Sequence, residues 1–299
     1  METRQFGKTD MQVSILGFGG SEIRASSLSN VEQLLGNALD TGLNVIDTAE
    51  CYGDSEDLIG RAVASRRSEY YLITKCGHAV GEELPDLPDW DPRLLEASID
   101  RSLRRLRTDH LDLLLLHSCS LDVLRKGDVV KVLQKAKGAG KTRYIGYSGD
   151  NEDARYAIRS GFFDALETSI NIADQQGIDF TLPMAQERKM GIIAKRPVAN
   201  TAWKDDKLPK SAYGYPYWER LQKLQYDFLQ KDMNTAMGIA LRFPLSVPGV
   251  DTVIVGTANP NRWQQNADLL ASGPLPQGQF DAIRARWEET ADQHWLTLD

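Results

Sequence analysis

The sequence predicts an α/β fold, a (β/α)8 barrel with an N-terminal β-hairpin and an extra helix at the C-terminus. Three observations support this prediction. Short apolar runs alternate along the chain with stretches of helical periodicity. Eight such runs occur, and they are apolar on both faces, as in a buried parallel sheet. No change in composition marks a boundary, so residues 1–299 are predicted to form one domain.

The predicted elements follow one another along the chain. Residues Arg4–Ser14 carry a turn at Gly7–Asp10 between alternating flanks, which predicts a hairpin that closes the barrel floor. The predicted barrel strands are Val13–Gly19, Asn44–Asp47, Tyr70–Lys75, Leu111–His117, Tyr144–Ser148, Asp164–Thr168, Gly191–Lys195 and Asp251–Gly256. The predicted helices are Ser29–Thr41, Ser55–Ala64, Pro92–Leu106, Leu121–Gly138, Asn151–Ser160, Leu182–Lys189, Pro216–Phe243 and Pro260–Leu270, and Gln277–Leu296 is the extra helix.

Local signals support several helix ends. Ser29 has a glutamate three residues later, which is the spacing of a capping box. Gly42, Gly140 and Gly161 follow helical stretches, where a left-handed residue ends a helix most easily as glycine. An open doubly wound sheet is the alternative fold. Its G-x-G-x-x-G spacing is missing from Gly17–Glu22, so the barrel is preferred.

Composition excludes several classes of protein. Hydrophobic residues make up 41% and charged residues 26% of the 299 residues, as in globular proteins. The net charge of −7 disfavours a nucleic-acid or anionic-membrane partner. The longest aliphatic run, Leu113–Leu116, is too short for a membrane span, and the polar N-terminus lacks an apolar signal region. Three cysteines form no disulfide framework, so we expect a cytoplasmic protein.

Four ionisable residues follow neighbouring predicted strands. Asp47 ends the second strand, Lys75 the third and His117 the fourth, and Tyr52 lies in the loop after the second. Each has an ordinary structural explanation: an aspartate that caps a helix, a solvated lysine, a hydrogen-bonded core histidine. In a barrel, however, the carboxyl ends of the strands surround one mouth. The sequence therefore predicts that these side chains form one site.

The chemistry of the four groups is coherent. A free tyrosine has a pKa of about 10, and a nearby ammonium group favours the phenolate and lowers that pKa. Asp47 would supply the counter-charge that a desolvated Lys75 needs. A histidine donor would orient a carbonyl oxygen toward Tyr52. The arrangement predicts a general-acid site for carbonyl reduction that lacks only a hydride source.

Three motifs resemble those of the aldo-keto reductase family. They are D-T-A-x-x-Y-G at Asp47–Gly53, I-T-K at Ile73–Lys75 and L-D-L-L-L-L-H at Leu111–His117, and the resemblance extends from Gly17 to Asn266. It implies a TIM barrel and a nicotinamide dinucleotide cofactor, usually NADPH, with NAD possible. It also implies that Asp47, Tyr52, Lys75 and His117 are the catalytic tetrad.

The resemblance is less close where the nicotinamide would bind. Ser148 matches the family's serine, but Gly149 stands where an asparagine is expected. Glu167 replaces a glutamine that holds the carboxamide, and Lys195 replaces a stacking aromatic residue. We expect Glu167 to accept from the carboxamide, Asp150 to replace the asparagine, and Lys195 to place its charge near Glu167 or the pyrophosphate.

Further cofactor contacts are expected after the last two barrel strands. The resemblance implies that Arg262 pairs with a 2′-phosphate, for which its fork of donors is suited, although an exposed helix arginine is the alternative. The other residues implied on this side are Arg196, Pro197, Gly256, Thr257, Asn259, Gln265 and Asn266. A phosphate site after the seventh and eighth strands is usual in barrels of this kind.

Two long loops are expected to form the substrate pocket. Trp90 lies in the acidic loop Gly77–Pro92, and Trp203 lies in the aromatic loop Arg196–Tyr215. Carboxylates bind hydroxyl groups and aromatic faces cover sugar rings, so we expect a small neutral or hydroxylated carbonyl compound or sugar as substrate. The alternative is that the acidic loop, which includes Glu82, is a solvated lid.

A metal site, a regulatory role and a hydrolase activity are the alternatives to this prediction. Cys51, Cys76 and Cys119 lie near the tetrad, but no short metal-ligand spacing exists, so they are interpreted as packing residues and no metal is expected. A cofactor-binding regulatory protein is the alternative function, and the intact tetrad disfavours it. A metal-dependent hydrolase that uses Asp47 and His117 would need paired histidines on the first strand. The oligomeric state stays open, and a monomer is compatible with the sequence.

Overall fold

A closed barrel of eight parallel strands forms the centre of the molecule. The computed structural model describes residues 1–81, 83–84, 86–292 and 294–298. After a hairpin of β1 (Thr3–Gln5) and β2 (Gln12–Ser14), the barrel strands are β3 (Leu16–Gly19), β4 (Val45–Asp47), β5 (Tyr71–Cys76), β6 (Leu111–His117), β7 (Thr142–Ser148), β8 (Ala165–Ser169), β9 (Gly191–Lys195) and β10 (Thr252–Gly256). The predicted (β/α)8 fold is confirmed.

Helices alternate with the strands around the barrel. They are α1 (Leu28–Asp40), α2 (Ser55–Val63), α3 (Pro92–Arg105), α4 (Leu121–Lys126), α5 (Asp128–Gly138), α6 (Asn151–Ser160), α7 (Gln176–Phe180), α8 (Leu182–Glu187), α9 (Tyr215–Leu224), α10 (Met233–Ser246), α11 (Pro260–Leu270) and α12 (Gln277–Thr290). The last of these is the predicted extra helix, which ends at Thr290 and not at Leu296 as predicted. Among the described residues, none of these helices is long and apolar enough to cross a bilayer.

The register of the strands brings polar side chains to one end of the barrel. Asp47 pairs with Ile73 of the next strand, and His117 pairs with Ser148. Ser148 in turn pairs with Glu167. Because all the strands are parallel, these residues lie at the same mouth. The apolar residues before them fill the barrel and the layer under the helices.

The N-terminal hairpin closes the opposite end. The side chains of Phe6 and Met11 are fully buried and join the cluster inside the barrel. The Phe6 ring lies against Gly191, where an added Cβ would come within 2.5 Å of a ring carbon. Glycine at the start of β9 therefore makes room for the plug.

Two predicted boundaries at the N-terminal side are wrong. Val13 belongs to the hairpin, where it pairs with Arg4, and the first barrel strand starts at Leu16. Ser27 caps α1, and its Oγ accepts a hydrogen bond from the Asn30 backbone N–H at 3.3 Å. Ser29 lies inside the helix, so the capping-box prediction chose a serine two positions too late.

Two predicted long helices are broken. The stretch Leu121–Gly138 divides at Gly127, whose φ of 78° is left-handed and ends α4. The stretch Pro216–Phe243 divides after Gln225, also left-handed, because Tyr226 turns inward and its hydroxyl donates to the Ile172 carbonyl at 2.9 Å. Apolar spacing continues across both breaks, so periodicity alone could not reveal them.

The acidic loop after β5 is anchored to the barrel. The Arg101 guanidinium donates to the Val80 carbonyl, and Asp89 accepts a hydrogen bond from the Ala79 backbone N–H at 2.7 Å. Glu82 lies outside the described residues.

Candidate active site

The ion pair at the centre of the mouth joins two neighbouring strand ends. Lys75 Nζ of β5 lies 2.5 Å from Asp47 Oδ1 of β4 and donates to the Thr48 carbonyl at 3.1 Å. Both charged side chains are at least 98% buried, with exposures of 1% and 2%. A charge that is so poorly solvated requires a partner of opposite charge. Lys75 and Asp47 serve as partners for each other.

Tyr52 and His117 complete the predicted tetrad. The ring of Tyr52 lies 5.5 Å from Lys75 Nζ, and its centroid is 5.7 Å from that of His117 in an edge-to-face contact. Tyr52 enters the mouth from the loop after β4, while His117 ends β6. The structure therefore brings all four predicted residues together.

The pKa of Tyr52 differs from the sequence-based expectation. Burial raises the pKa of the phenol, and the Lys75 ammonium acts in the opposite, lowering direction without cancelling that effect. Tyr52 therefore keeps its proton and can act as a proton donor, and the Lys75 ammonium group faces its ring. Burial, followed by the Lys75 charge, holds the pKa of His117 well below its usual value, so the imidazole is neutral near pH 7.

A second carboxylate faces Lys75. Glu167 Oε2 of β8 lies 3.4 Å from Lys75 Nζ, and its Oε1 accepts a hydrogen bond from the Ser148 hydroxyl at 3.0 Å. Burial and then the Glu167 charge raise the pKa of Asp47 well above its usual value. Burial alone would lower the pKa of Lys75, but the two carboxylates outweigh it and raise that pKa. Glu167 is therefore part of the charge cluster around the lysine.

Lys195 and Asp150 form a separate buried pair. Lys195 Nζ lies 3.1 Å from Asp150 Oδ2, and the same carboxylate accepts from the Ser169 backbone N–H at 2.8 Å and from the Thr168 hydroxyl. Lys195 was expected near Glu167 or the pyrophosphate; in the structure its partner is Asp150, because Glu167 is turned toward Lys75.

Arg196 follows β9 and is held by the C-terminal tail. Its guanidinium donates to the Leu298 carbonyl and to the Ser169 hydroxyl at 3.1 Å, and it lies 5.3 Å from the ring of Tyr213. Pro197 is buried directly behind it. A positive side chain thus lies beside the mouth where the sequence predicted it.

The turn after β10 lies on the next side of the mouth. Gly256 is exposed and pairs with Gly19, and an added Cβ at Gly256 would lie 2.8 Å from Glu22 Cγ. Thr257 Oγ1 accepts from the Asn259 backbone N–H at 3.1 Å. Asn259 then caps α11 by accepting a hydrogen bond from the Asn261 backbone N–H, and both residues are exposed.

Helix α11 carries the remaining predicted cofactor residues. Arg262 and Gln265 are exposed, and within the described residues Arg262 makes no ion pair or hydrogen bond through its side chain. Asn266 is 1% exposed, yet neither atom of its side-chain amide has a hydrogen-bond partner among the described residues. Unpartnered buried amides are rare because they lose hydration without compensation. A ligand edge with one donor and one acceptor, such as that of adenine, would satisfy Asn266, so these residues fit a dinucleotide.

Comparison with known proteins agrees with this geometry. The family model described as the aldo/keto reductase family matches residues 15–288. The chain belongs to this family. It is 26% identical to the L-galactose dehydrogenase of Arabidopsis thaliana over 315 residues, which cover 99% of this chain and 97% of that protein. It is 23% identical over 305 residues to the uncharacterized oxidoreductase YqkF of Bacillus subtilis, with 97% of both chains covered.

Solved structures show the same fold. The holo form of the aldo-keto reductase AKR11C1 from Bacillus halodurans matches with a TM-score of 0.85 and 24% identity over 99% of both chains. This aldo-keto reductase is therefore an oxidoreductase with the barrel fold of its family. The cofactors of the family are nicotinamide dinucleotides.

The two tryptophans expected at the substrate lie in different places. Trp90 contacts the ring of His78 at a centroid distance of 5.4 Å, and His78 contacts His117 at 5.3 Å. Trp90 is thus one ring removed from the tetrad. Trp203 packs against the apolar cluster that includes Tyr217. Within the described part of the chain it makes no ring contact or hydrogen bond with the tetrad.

Beside the tetrad, the sequence assigned no role to Glu50 or His78, and it interpreted Cys51 as a packing residue. Cys51 Sγ lies 3.4 Å from His117 Nδ1, and burial raises the pKa of this thiol to about 12, so it keeps its proton. Glu50 accepts from the His78 backbone N–H at 3.0 Å, and burial raises the pKa of its carboxyl to about 8. Glu50 and Cys51 are the two residues before Tyr52, and His78 follows Lys75 by three positions; this closeness along the chain was the available signal.

Proposed function

We propose that this aldo-keto reductase is an NADPH-dependent oxidoreductase that reduces aldehydes or ketones, or oxidises the corresponding alcohol or sugar, with Tyr52 as general acid and base. The observation that carries the proposal is the protonated Tyr52 between a buried, ion-paired Lys75 and a neutral His117. A proton donor, a cation and a neutral donor converge there, as carbonyl reduction requires.

Each tetrad residue has a task in the proposed reaction. A bound nicotinamide supplies the hydride. His117, which is neutral, donates a hydrogen bond that orients the carbonyl oxygen toward Tyr52. Tyr52 transfers its hydroxyl proton to that oxygen, and the phenolate that remains is stabilised by the Lys75 ammonium. Asp47 keeps Lys75 in place and charged. In the reverse direction Tyr52 takes the proton back.

The cofactor would be held along the mouth from β7 to α11. On the nicotinamide side we assign Ser148, Glu167 and Lys195, together with Arg196 and Pro197. On the adenosine side the Asn266 amide, which has no hydrogen-bond partner among the described residues, supports the assignment, and Arg262 offers an exposed guanidinium for a 2′-phosphate. The remaining contacts that we assign on this side are Gly256, Thr257, Asn259 and Gln265. NADPH is therefore the proposed cofactor, with NADH as the alternative.

The proposed substrate is a small neutral or hydroxylated carbonyl compound, such as a sugar. The acidic loop supports this proposal, since the Asp89 carboxylate beside His78 would repel an anion. The relative named L-galactose dehydrogenase has a name that refers to a sugar. Comparing kcat/KM for neutral aldehydes with that for keto acids of similar size tests the substrate class. A clear preference for keto acids would contradict it.

One titration tests the function as a whole. Purified protein is mixed with NADPH or NADH, binding is followed by nucleotide fluorescence, and a panel of carbonyl compounds is then added. Tight NADPH binding with turnover is expected. Cofactor binding without turnover on the whole panel would instead favour the regulatory alternative.

A further inference from the structure

We propose that Glu50, Cys51 and His117 form a binding site for a thiophilic divalent cation, with Zn²⁺ as the ion that suits it best. One ligand atom from each of these residues lies within 4.8 Å of the other two. They supply a carboxylate, a thiol and an imidazole, which are the donors that zinc prefers. The site includes His117 of the tetrad and none of the residues assigned to the cofactor.

The distances match a preformed site. Cys51 Sγ and His117 Nδ1 are 3.4 Å apart. Two ligands of a tetrahedral zinc ion at ordinary Zn–S and Zn–N lengths lie roughly 3.6 Å apart. The ion therefore requires little movement of these two side chains. On binding, the Cys51 thiol and the Glu50 carboxyl each release a proton to solvent, and the new Zn–S bond replaces the contact between sulfur and the ring nitrogen.

Glu50 provides an independent indication. Its side chain is 98% buried, since the residue is 2% exposed, and Oε2 has no hydrogen-bond partner within the described residues. The other oxygen accepts the His78 backbone N–H, which fixes the carboxylate in place. A buried carboxyl oxygen without a partner is costly, and a cation would satisfy it.

The charges also balance at this position. A thiolate and a carboxylate neutralise the two positive charges of the ion, so the site adds no net charge next to the Lys75 ammonium. Three protein ligands leave a fourth position for water, as in open zinc sites. Because Cys51 and His117 are partly exposed and flank Tyr52, the ion and its water would lie where a carbonyl group must approach. We therefore expect the ion to compete with the carbonyl substrate.

Binding is tested without reference to activity. Metal-free full-length protein is titrated with Cd²⁺, and the ultraviolet cadmium–thiolate absorption is recorded. A band that saturates at one equivalent is expected, with the affinity reduced by about tenfold or more in Cys51→Ser and Glu50→Gln. Cys119→Ser is the matched control, since Cys119 is also a free cysteine near the mouth, and it should keep the band. No saturable band, or a band retained in Cys51→Ser, would overturn the site.

A second measurement uses the unaltered chain. Zn²⁺ should slow alkylation of Cys51, mapped by mass spectrometry, and a chelator should restore it; unchanged labelling would overturn the site even if the variants fail to fold. The competition rests on the proposed function: Zn²⁺ should raise KM for the carbonyl compound and leave NADPH binding unchanged. If the cadmium band forms but no condition gives turnover, the metal site stands and the proposed function fails. If the cadmium band saturates but the KM for the carbonyl compound does not change with Zn²⁺, the proposed competition between the metal ion and the substrate is contradicted.

Discussion

Among single residues, Lys75 is the one on which the proposed chemistry depends. It is fully buried, lies between the carboxylates of Asp47 and Glu167, and faces the ring of Tyr52. Removing one partner of a buried ion pair typically costs about 3–5 kcal/mol, because the remaining charge is left desolvated. Substitution of Lys75 or Asp47 would thus disturb stability as well as activity, and variants of Tyr52 and Glu167 give cleaner tests.

Tyr52→Phe removes the proposed proton donor and keeps the ring. Turnover should fall by about 10²–10⁴-fold, which is the usual contribution of a general acid. Nucleotide affinity, measured by fluorescence, should stay close to wild type because the phenol is not among the cofactor contacts that we assign. Near-normal turnover on a good substrate would show that another group donates the proton.

Glu167→Gln tests the second carboxylate on Lys75. The Glu167 charge raises the pKa of Tyr52, in the same direction as the larger effect of burial. Removing that charge should lower the pKa of Tyr52, because Lys75 then acts on the phenol with less opposition. Reduction needs a protonated Tyr52, so the alkaline limb of the kcat profile should move to lower pH. The Ser148 hydroxyl can still donate to the glutamine oxygen, which makes this a charge test. An unmoved alkaline limb would contradict the coupling.

Among the elements, the β10–α11 segment decides how the adenosine end is held. Asn259 caps α11, Asn266 is buried on its inner face and Arg262 is exposed near its first turn. The same helix thus offers a buried amide for a base and an exposed guanidinium for a phosphate. The two groups make different predictions, since only the guanidinium distinguishes NADPH from NADH.

Arg262→Ala should weaken NADPH binding much more than NADH binding. Loss of a charge-assisted hydrogen bond to phosphate typically costs about 1.5–3 kcal/mol, which is tenfold or more in affinity. Arg262→Lys is the matched control and should keep part of the preference, because it retains charge but loses the fork. Dissociation constants for both nucleotides are obtained by fluorescence titration. Equal losses for the two would assign the arginine to the rim of the site.

At the scale of the whole molecule, Asp251 at the floor of the barrel connects the N-terminal hairpin with the last two barrel strands. Asp251 precedes β10, and its carboxylate accepts the Ile192 backbone N–H at 2.9 Å at the start of β9. It also receives a hydrogen bond from the backbone of Gly7 in the hairpin turn. One carboxylate thus ties the plug to the last two strands.

Asp251 should make stability depend on pH. Burial raises its pKa from 3.8 to about 6, so the folded chain keeps a proton that the unfolded chain releases at lower pH. Stability should therefore fall as pH rises from about 4 to about 6. Asp251→Asn removes this pH dependence. Its free energy of unfolding should therefore rise above that of wild type as pH increases from 4 to 7, by on the order of 1–3 kcal/mol. Urea unfolding at several pH values measures it, and parallel curves for the two proteins would refute the assignment.

The sequence predicted the fold, and the meeting of Asp47, Lys75 and His117 at one mouth, for a clear reason. Parallel strands buried on both faces leave continuous apolar runs, and the strand ends then fall at polar residues such as Asp47, Lys75 and His117. These are local features, and a barrel brings every strand end to one mouth whatever the details of packing. The errors were at boundaries: Ser29 was chosen over Ser27, and Gly127 was not recognised as a break.

What the sequence by itself determined was the order of elements, the family resemblance and the choice of the four residues that we propose as the tetrad. Only the tertiary structure decided which charges meet. Glu167 turned out to face Lys75, Lys195 faces Asp150, and Cys51 lies against His117. Such pairings depend on the directions of side chains across adjacent strands. They also depend on burial, which increases the energy of every electrostatic interaction. For the same reason the pKa of Tyr52 could not be predicted from its neighbours alone, because desolvation depends on the whole surrounding fold.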